Sequence, residues 1–410
     1  MVSHPVDADV AQVQVGDVLA SLLPLAGAWI GRFDVARIGV TGSTGKTTTV
    51  RMIESVLRRV GPTHASRPSW NAEIGVPLTV FGLQHSHRYV IVEMAMRGLG
   101  QIAQLCEAVR PAIGVVTNVG ESHLELLGSI ENIARAKAEL IEALPLGGVA
   151  VLNADDPRVE GMAARCRGRM VRYGLHPTAD VRADDVTTAA DGSRFRIVAA
   201  SGDAEVHVPV PGLHMVSNAL AAAAVGIAEE VPLEAVAGAL SEFASLPGRL
   251  HIRRLAGDLV LVDDTYNASP ASLRAAFETV RALRGDRRVV VVLGEMRELG
   301  SSAEAAHREA GELCAAEGVD VLVTVGHAAG LIADGARRAG LTGGSIHRTA
   351  DATDAARVIV DLVRDGDLVL AKGSQAVGLE RVTVEIVSAR IDTTRASDRV
   401  SPAAGRITFR

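Results

Sequence analysis

Short apolar runs that end in polar residues recur along the first part of the chain. Ala36–Thr41, Tyr89–Met94, Ala112–Asn118 and Val149–Asn153 each read as a buried strand. Between them lie stretches with helical spacing, about Lys46–Val60, Gly100–Val109 and Ile130–Leu144. This alternation predicts a parallel, doubly wound sheet, because parallel neighbours need a crossover. Residues 170–211 differ. Val181–Val186, Arg194–Val198 and Glu205–Val210 alternate apolar and polar, as in a small antiparallel sheet. Helices are expected at Val216–Glu229 and Leu233–Phe243. A second α/β block follows, with strands at Leu259–Asp263, Arg288–Leu293, Val319–Val325 and Leu368–Ala371.

The predicted class is α/β: a doubly wound domain with a small antiparallel β insertion, then a Rossmann-like C-terminal domain. Pro247-Gly248 marks the boundary. The expected segments are a short N-terminal piece, 1–35, with one apolar helix; a central domain, 36–246; a C-terminal domain, 247–392; and a flexible polar tail, 393–410.

Composition narrows the classes. The 410 residues carry a net charge of −6, which suits neither a general nucleic-acid binder nor a membrane binder. Cys106, Cys166 and Cys314 are widely spaced, which fits a reducing cytoplasm rather than a disulfide framework. Met1–Gln14 is polar and acidic, unlike a signal peptide. Val18–Ile30 is too short to span a bilayer. Lysine is nearly absent: Lys46, Lys137 and Lys372 stand alone in a chain otherwise using arginine. Where lysine persists, the chemistry of an amine is a reason for it.

Thr41-Gly42-Ser43-Thr44-Gly45-Lys46-Thr47-Thr48-Thr49 joins a strand to a helix N-terminus. Gly42 and Gly45 free the backbone, and the amides of Ser43 and Thr44 can wrap phosphate oxygens beside the helix dipole. Lys46 would neutralise β/γ-phosphate charge, and the hydroxyl of Thr47 or Thr48 would ligate Mg²⁺. The general phosphate-loop pattern has glycine where this chain has Val40. Glu93 closes the strand Tyr89-Val90-Ile91-Val92, at the edge where doubly wound sheets meet ligands.

The TGSTGKTTT run resembles the variant phosphate loop of the Mur ligase family and its relative folylpolyglutamate synthase. The resemblance covers roughly residues 36–385 and is nearest to the branch that adds D-alanyl-D-alanine. It extends through Trp70-Asn71-Ala72-Glu73-Ile74-Gly75-Val76-Pro77, Thr117-Asn118 to His123 and Glu125, Asn153-Ala154-Asp155-Asp156, and Gly212-Leu213-His214-Met215-Val216-Ser217-Asn218. It continues through Gly248-Arg249-Leu250, Asp263-Asp264-Thr265-Tyr266-Asn267, Leu293–Gly300 with His307, and Lys372-Gly373-Ser374. Ala72, Met215 and Gln375 depart from the branch, which has asparagine, asparagine and arginine there.

What this implies is an ATP-dependent ligase that forms amide bonds through an acyl phosphate. Glu93, His123 and Lys137 would organise two Mg²⁺ ions with Thr47, and Lys137 would carry a CO₂-derived carbamate. Asn218 would contact adenine, Arg249 the phosphates or ribose, and Asp264 the ribose with Asn267 nearby. Asn71, Lys372 and Ser374 would face substrates, a small-molecule carboxylate and an amine. The branch normally carries roughly 80–100 residues, the size of a small sugar-nucleotide-binding domain, ahead of this loop; here only forty precede it. This spacing favours a different acid substrate from a specialised pathway, or a partner protein supplying the recognition surface. The alternatives are a cell-wall D-alanyl-D-alanine-adding ligase with a reduced N-terminal domain, and a small-molecule phosphotransferase.

Overall fold

The computed structural model describes residues 1–121 and 124–397. The chain divides into two compact units, with the first change of unit between Ala244 and Ser245.

The first unit holds a nine-stranded sheet: β1 (Ala36–Thr41), β2 (Thr63–Ala65), β3 (Tyr89–Glu93), β4 (Ile113–Val116), β5 (Val149–Asn153), β6 (Arg169–Gly174), β7 (Val181–Ala189), β8 (Gly192–Ala199) and β9 (Gly202–Val208). Their order is β2-β3-β1-β4-β5-β6-β7-β8-β9. Pairing is parallel from β2 to β7 and antiparallel from β7 to β9. The expected antiparallel segment therefore extends the main sheet. Two residue pairs, Tyr173↔Val181 and Gly174↔Arg182, make the join. β1 lies between β3 and β4, so connections leave it in opposite directions. Such a switch point opens a crevice at the strand C-termini, where Thr41, Glu93 and Thr117 lie.

Central strands β1, β3 and β4 bury their apolar residues on both faces, as helix-covered parallel strands do. The helix Val18–Ile30 is capped by Asp17 and fully buries Ala26 and Ile30. It packs on helices Gly75–Phe81 and Gln101–Val109. Residues 1–35 thus contribute a helix to the first core. No helix among the described residues is long and apolar enough to cross a membrane.

The second unit holds a six-stranded sheet: β10 (His251–Leu255), β11 (Leu259–Asp264), β12 (Val289–Gly294), β13 (Val321–Val325), β14 (Ile346–Thr349) and β15 (Leu368–Lys372). The order is β10-β11-β15-β12-β13-β14, with only the β10–β11 pairing antiparallel. The two strands not expected, β10 and β14, are the edges. Their arginines and half-exposed positions conceal an apolar run. The last helix, Glu380–Ser397, runs past the boundary expected at 392. Residues 398–410 lie outside the described residues.

In this unit the helices Ala303–Ala316 and Gly330–Arg338 touch backbone to backbone. A Cβ on Gly311 would stand 1.9 Å from the Ile332 carbonyl oxygen, and one on Gly335 2.1 Å from that of Arg308. Gly311→Ala is expected to destabilise the protein by about 1–3 kcal/mol or more, since overpacking must push the helices apart. Urea denaturation followed by circular dichroism measures this, with Gly343→Ala, which meets nothing within 4 Å, as the silent control.

Candidate active site

The phosphate loop is shaped by two glycines. Gly45 has φ 79°, a left-handed conformation that starts the helix Lys46–Leu57. A Cβ on Gly42 would fall 1.8 Å from Thr117 Oγ1. Val40, where the general pattern has glycine, lies within β1 and is fully buried. The turn therefore rests on Gly42 and Gly45, and Val40 serves the core.

The segment after β4 holds the loop from one side. Thr117 Oγ1 donates to the Thr44 carbonyl at 2.7 Å. Asn118 Oδ1 accepts from the Thr44 amide at 2.9 Å, and its carbonyl accepts from the Ser43 amide at 2.9 Å. The Gly120 amide donates to Ser43 Oγ at 2.8 Å. This segment is itself braced. Asn153 Nδ2 donates to the Thr117 carbonyl at 2.8 Å, and Asp156 Oδ2 accepts from the Val119 amide at 2.7 Å. Tyr173 Oη donates toward the Val116 carbonyl at 3.2 Å. The Asn153–Asp156 turn is thus structural support for the loop.

Lys46 Nζ donates to the carbonyls of Gly42, at 2.8 Å, and Ser43, at 3.3 Å, so the ammonium stays over the loop. Thr47 Oγ1 donates to Glu93 Oε2 at 2.6 Å. Asn71 Nδ2 donates to Glu93 Oε1 at 2.8 Å. Thr47 and Glu93 are both buried, and together they form a pair of hard oxygen donors of the kind Mg²⁺ takes. Thr48 is half-buried on the same turn. Asn218 Oδ1 accepts from Thr49 Oγ1 at 3.2 Å. The expected adenine contact therefore lies against the first turn of the phosphate-loop helix.

Lys137 sits on the helix Ile130–Glu142. Its apolar stripe is Ile133, Ala136, Leu140 and Ile141, and Lys137 occupies the core-facing side with them. The side chain is only 2 % exposed. Burial, with the nearby Lys46 charge second, holds the Lys137 ammonium well below the usual lysine range. His123, expected beside it, lies outside the described residues.

In the second unit, Asp264 and Lys372 are paired residues of neighbouring strands. Lys372 Nζ donates to Asp264 Oδ2 at 2.5 Å and to the Asn267 carbonyl at 2.8 Å. Lys372 is buried, so two of its three donors are spent within the unit. The Arg249 guanidinium lies 3.8 Å from the Tyr266 ring centroid. Ser374 Oγ accepts from the Arg297 amide at 3.0 Å. His307 Nε2 accepts from the Met296 amide at 3.0 Å, so its Nδ1 carries the proton, given to the Ala303 carbonyl at 2.6 Å. His307 thereby anchors the loop after β12.

The residues not anticipated from sequence are Ser66, Tyr173 and the bracing role of Thr117. Ser66 and Thr117 follow strands, a weak signal; Tyr173 had none beyond its burial in the missed strand β6.

A left-handed glycine turn, a helix N-terminus, Lys46 and a threonine–glutamate oxygen pair are the parts that a phosphate-handling centre of a nucleotide-dependent enzyme needs. Comparison specifies the class further. Residues 40–226 match the Mur ligase middle domain, and residues 248–375 match the glutamate ligase domain of Mur ligases. The UDP-N-acetylmuramoyl-tripeptide–D-alanyl-D-alanine ligase of Bacillus subtilis (strain 168) is 34 % identical over 377 residues, covering 92 % of this chain and 81 % of that protein. A crystal structure of MurF from Acinetobacter baumannii superposes with a TM-score of 0.85 at 28 % identity, over 94 % of this chain and 84 % of that one. MurF ligase from Thermotoga maritima in complex with ADP gives a TM-score of 0.81 at 27 % identity, over 95 % and 88 %. The chain belongs to the Mur ligase family, and is an ATP-dependent ligase of the type that forms C–N bonds.

Buried Lys137 has a cost that can be measured. Between its lowered folded pKa and the ordinary lysine value of about 10.4, the unfolded chain binds one more proton than the folded one. Lys137 therefore weakens the fold at neutral pH, and this penalty fades as pH rises towards about 10.4. Lys137→Met should be more stable than the parent at pH 7, with the difference shrinking by pH 10. Denaturant melts across that range read the trend.

Proposed function

We propose that this chain joins D-alanyl-D-alanine to UDP-N-acetylmuramoyl-tripeptide at the expense of ATP, the reaction named for its relatives. The observation that carries the chemistry is the buried Lys137 amine, whose burial disfavours the ammonium, in the same unit as the Lys46 loop and the Thr47–Glu93 oxygen pair. The relatives support the cell-wall reading over a specialised pathway, because likeness to that one activity extends over nine-tenths of the chain.

In this reading a substrate carboxylate oxygen attacks the γ-phosphorus of ATP, and the bond to the β-phosphate oxygen breaks. ADP leaves, and an acyl phosphate remains. The amine nitrogen then attacks the acyl carbon, inorganic phosphate departs, and the nitrogen loses a proton. Lys46 and the loop amides offset charge on the phosphates. Thr47 and Glu93 would hold Mg²⁺, with His123 as a further ligand. Bound Mg²⁺ supplies charge neutralisation at the transferring oxygens.

Lys137 is poised for carbamylation. Its neutral nitrogen attacks the carbon of CO₂, a C–N bond forms, and a proton is released. The product is an anion on the same stem. A guanidinium, always protonated, cannot do this. For the second unit, we assign Arg249, Asp264 and Asn267 to the nucleotide and Ser374 to the amine side, with Lys372 setting the position of Asp264.

The test supplies UDP-N-acetylmuramoyl-tripeptide, D-alanyl-D-alanine, ATP and Mg²⁺, and follows phosphate release and product mass. One phosphate per pentapeptide is expected. Lys137→Arg should lose at least about 100-fold in rate, together with the carbamate signal that ¹³CO₂ gives by NMR in the parent. Turnover of other acid–amine pairs, with no pentapeptide formed, would restore the specialised-pathway reading.

A further inference from the structure

Ser66 belongs to none of the motifs that carry the reaction, yet it touches the back of the site. It follows β2 directly and is 1 % exposed. Its Oγ accepts the backbone amide of Glu93 at 3.0 Å. Its carbonyl accepts Arg51 Nη2 at 2.9 Å, and Arg51 lies on the phosphate-loop helix. Glu93 returns to that helix through Thr47, at 2.6 Å. Thr79 Oγ1 lies 3.3 Å from Ser66 Oγ, on the helix Gly75–Phe81. The contacts form a closed ring: Arg51, Ser66, Glu93, Thr47, and back along one helical turn.

We propose that Ser66 is a positioning residue for the metal site, fixing the Glu93 backbone so that its carboxylate meets Thr47. This rests on the reading of Glu93 as a Mg²⁺ ligand. The backbone amide of Glu93 lies at the point where β3 ends. Its sheet neighbour β2 ends at Ala65, and Ser66 makes the last contacts on that side, its amide donating to the Ile91 carbonyl at 2.9 Å. The Ser66 hydroxyl supplies the acceptor for the Glu93 amide. Without it a buried N–H is left unmet, and the end of β3 is held less firmly on its β2 side, while β1 still holds the other side through the Met94 amide on the Val40 carbonyl at 2.8 Å. Outer residues of this kind typically change metal affinity by about 10–100-fold.

The experiment measures Mn²⁺ binding by electron paramagnetic resonance in the ADP complex, and separately ADP affinity without metal. Ser66→Ala should weaken Mn²⁺ binding about tenfold and leave metal-free ADP affinity within about twofold. Ser66→Thr keeps the hydroxyl and should restore binding. Ser55→Ala removes a hydroxyl from the phosphate-loop helix, one that bonds the Ala239 carbonyl at 3.2 Å, and should leave Mn²⁺ binding unchanged. If Ser66→Ala does not fold, the near-isosteric Ser66→Cys, a weak acceptor, is read for the same two outcomes. Unchanged Mn²⁺ affinity in the Ser66 variant, or an equal loss of metal-free ADP affinity, overturns the proposal. Glu93→Gln separates the two layers: if it binds Mn²⁺ as the parent does, the reading of Glu93 as a ligand fails. If it loses Mn²⁺ while Ser66→Ala does not, only the role of Ser66 fails.

Discussion

The hydrogen bond from Thr47 to Glu93 ties the phosphate loop to the sheet. One partner sits on the first turn of a helix and the other at the end of a neighbouring strand, 46 positions apart in sequence. The loop's own geometry is set by Gly42 and Gly45. Its placement is set by what grips it: Glu93 on one flank, and Thr117 with Asn118 on the other. Both flanks are ends of strands that pair with β1. Parallel pairing therefore does more than bury apolar surface. It brings three chain reversals to one crevice and leaves their polar ends facing each other.

Lys137 illustrates the opposite kind of constraint. Its helix would pack as well with an apolar residue at that position, since the surrounding stripe is apolar. Burial of an amine there disfavours its charged form, at the expense of stability. Local conflict of this type, a polar group placed where the pattern asks for an apolar one, is what a reactive site looks like from the viewpoint of folding. The paired Lys372 behaves differently: it is buried too, but its charge meets Asp264. Two lysines of equal burial are thus separated by what faces them.

Much of this was readable in advance. The four central strands of the first unit end where apolar runs stop, and the glycine-rich turn lies between a strand and a helix as its residues require. The strands that escaped notice, β2, β6, β10 and β14, are three residues long or carry arginines on half-exposed faces, so no apolar run betrays them. Candidate site residues with a charged or reactive group stand out in the sequence by their type. Ser66 and Tyr173 do not, since a hydroxyl bracing a backbone carries no signature until the backbone is placed. The partners of Lys372 were equally hidden: Asp264 is 108 residues earlier, and only strand adjacency joins them. The antiparallel strands were visible as elements, but their continuity with the parallel sheet rests on just two residue pairs.

The position of β1 between later strands has a consequence for synthesis. The loop emerges early from the ribosome, but its neighbours arrive in sequence. Glu93 closes one side, Thr117 the other, Asn153 braces the second, and Asn218 reaches Thr49 last. At a translation rate of roughly 5–20 residues per second, the interval between making Lys46 and making Asn218 is on the order of ten seconds or more. Through that interval the nascent chain carries the glycine turn without the contacts that shape it. The folded loop is thus a product of contacts that reach from Glu93 to Asn218, and no short early segment of the chain contains them all.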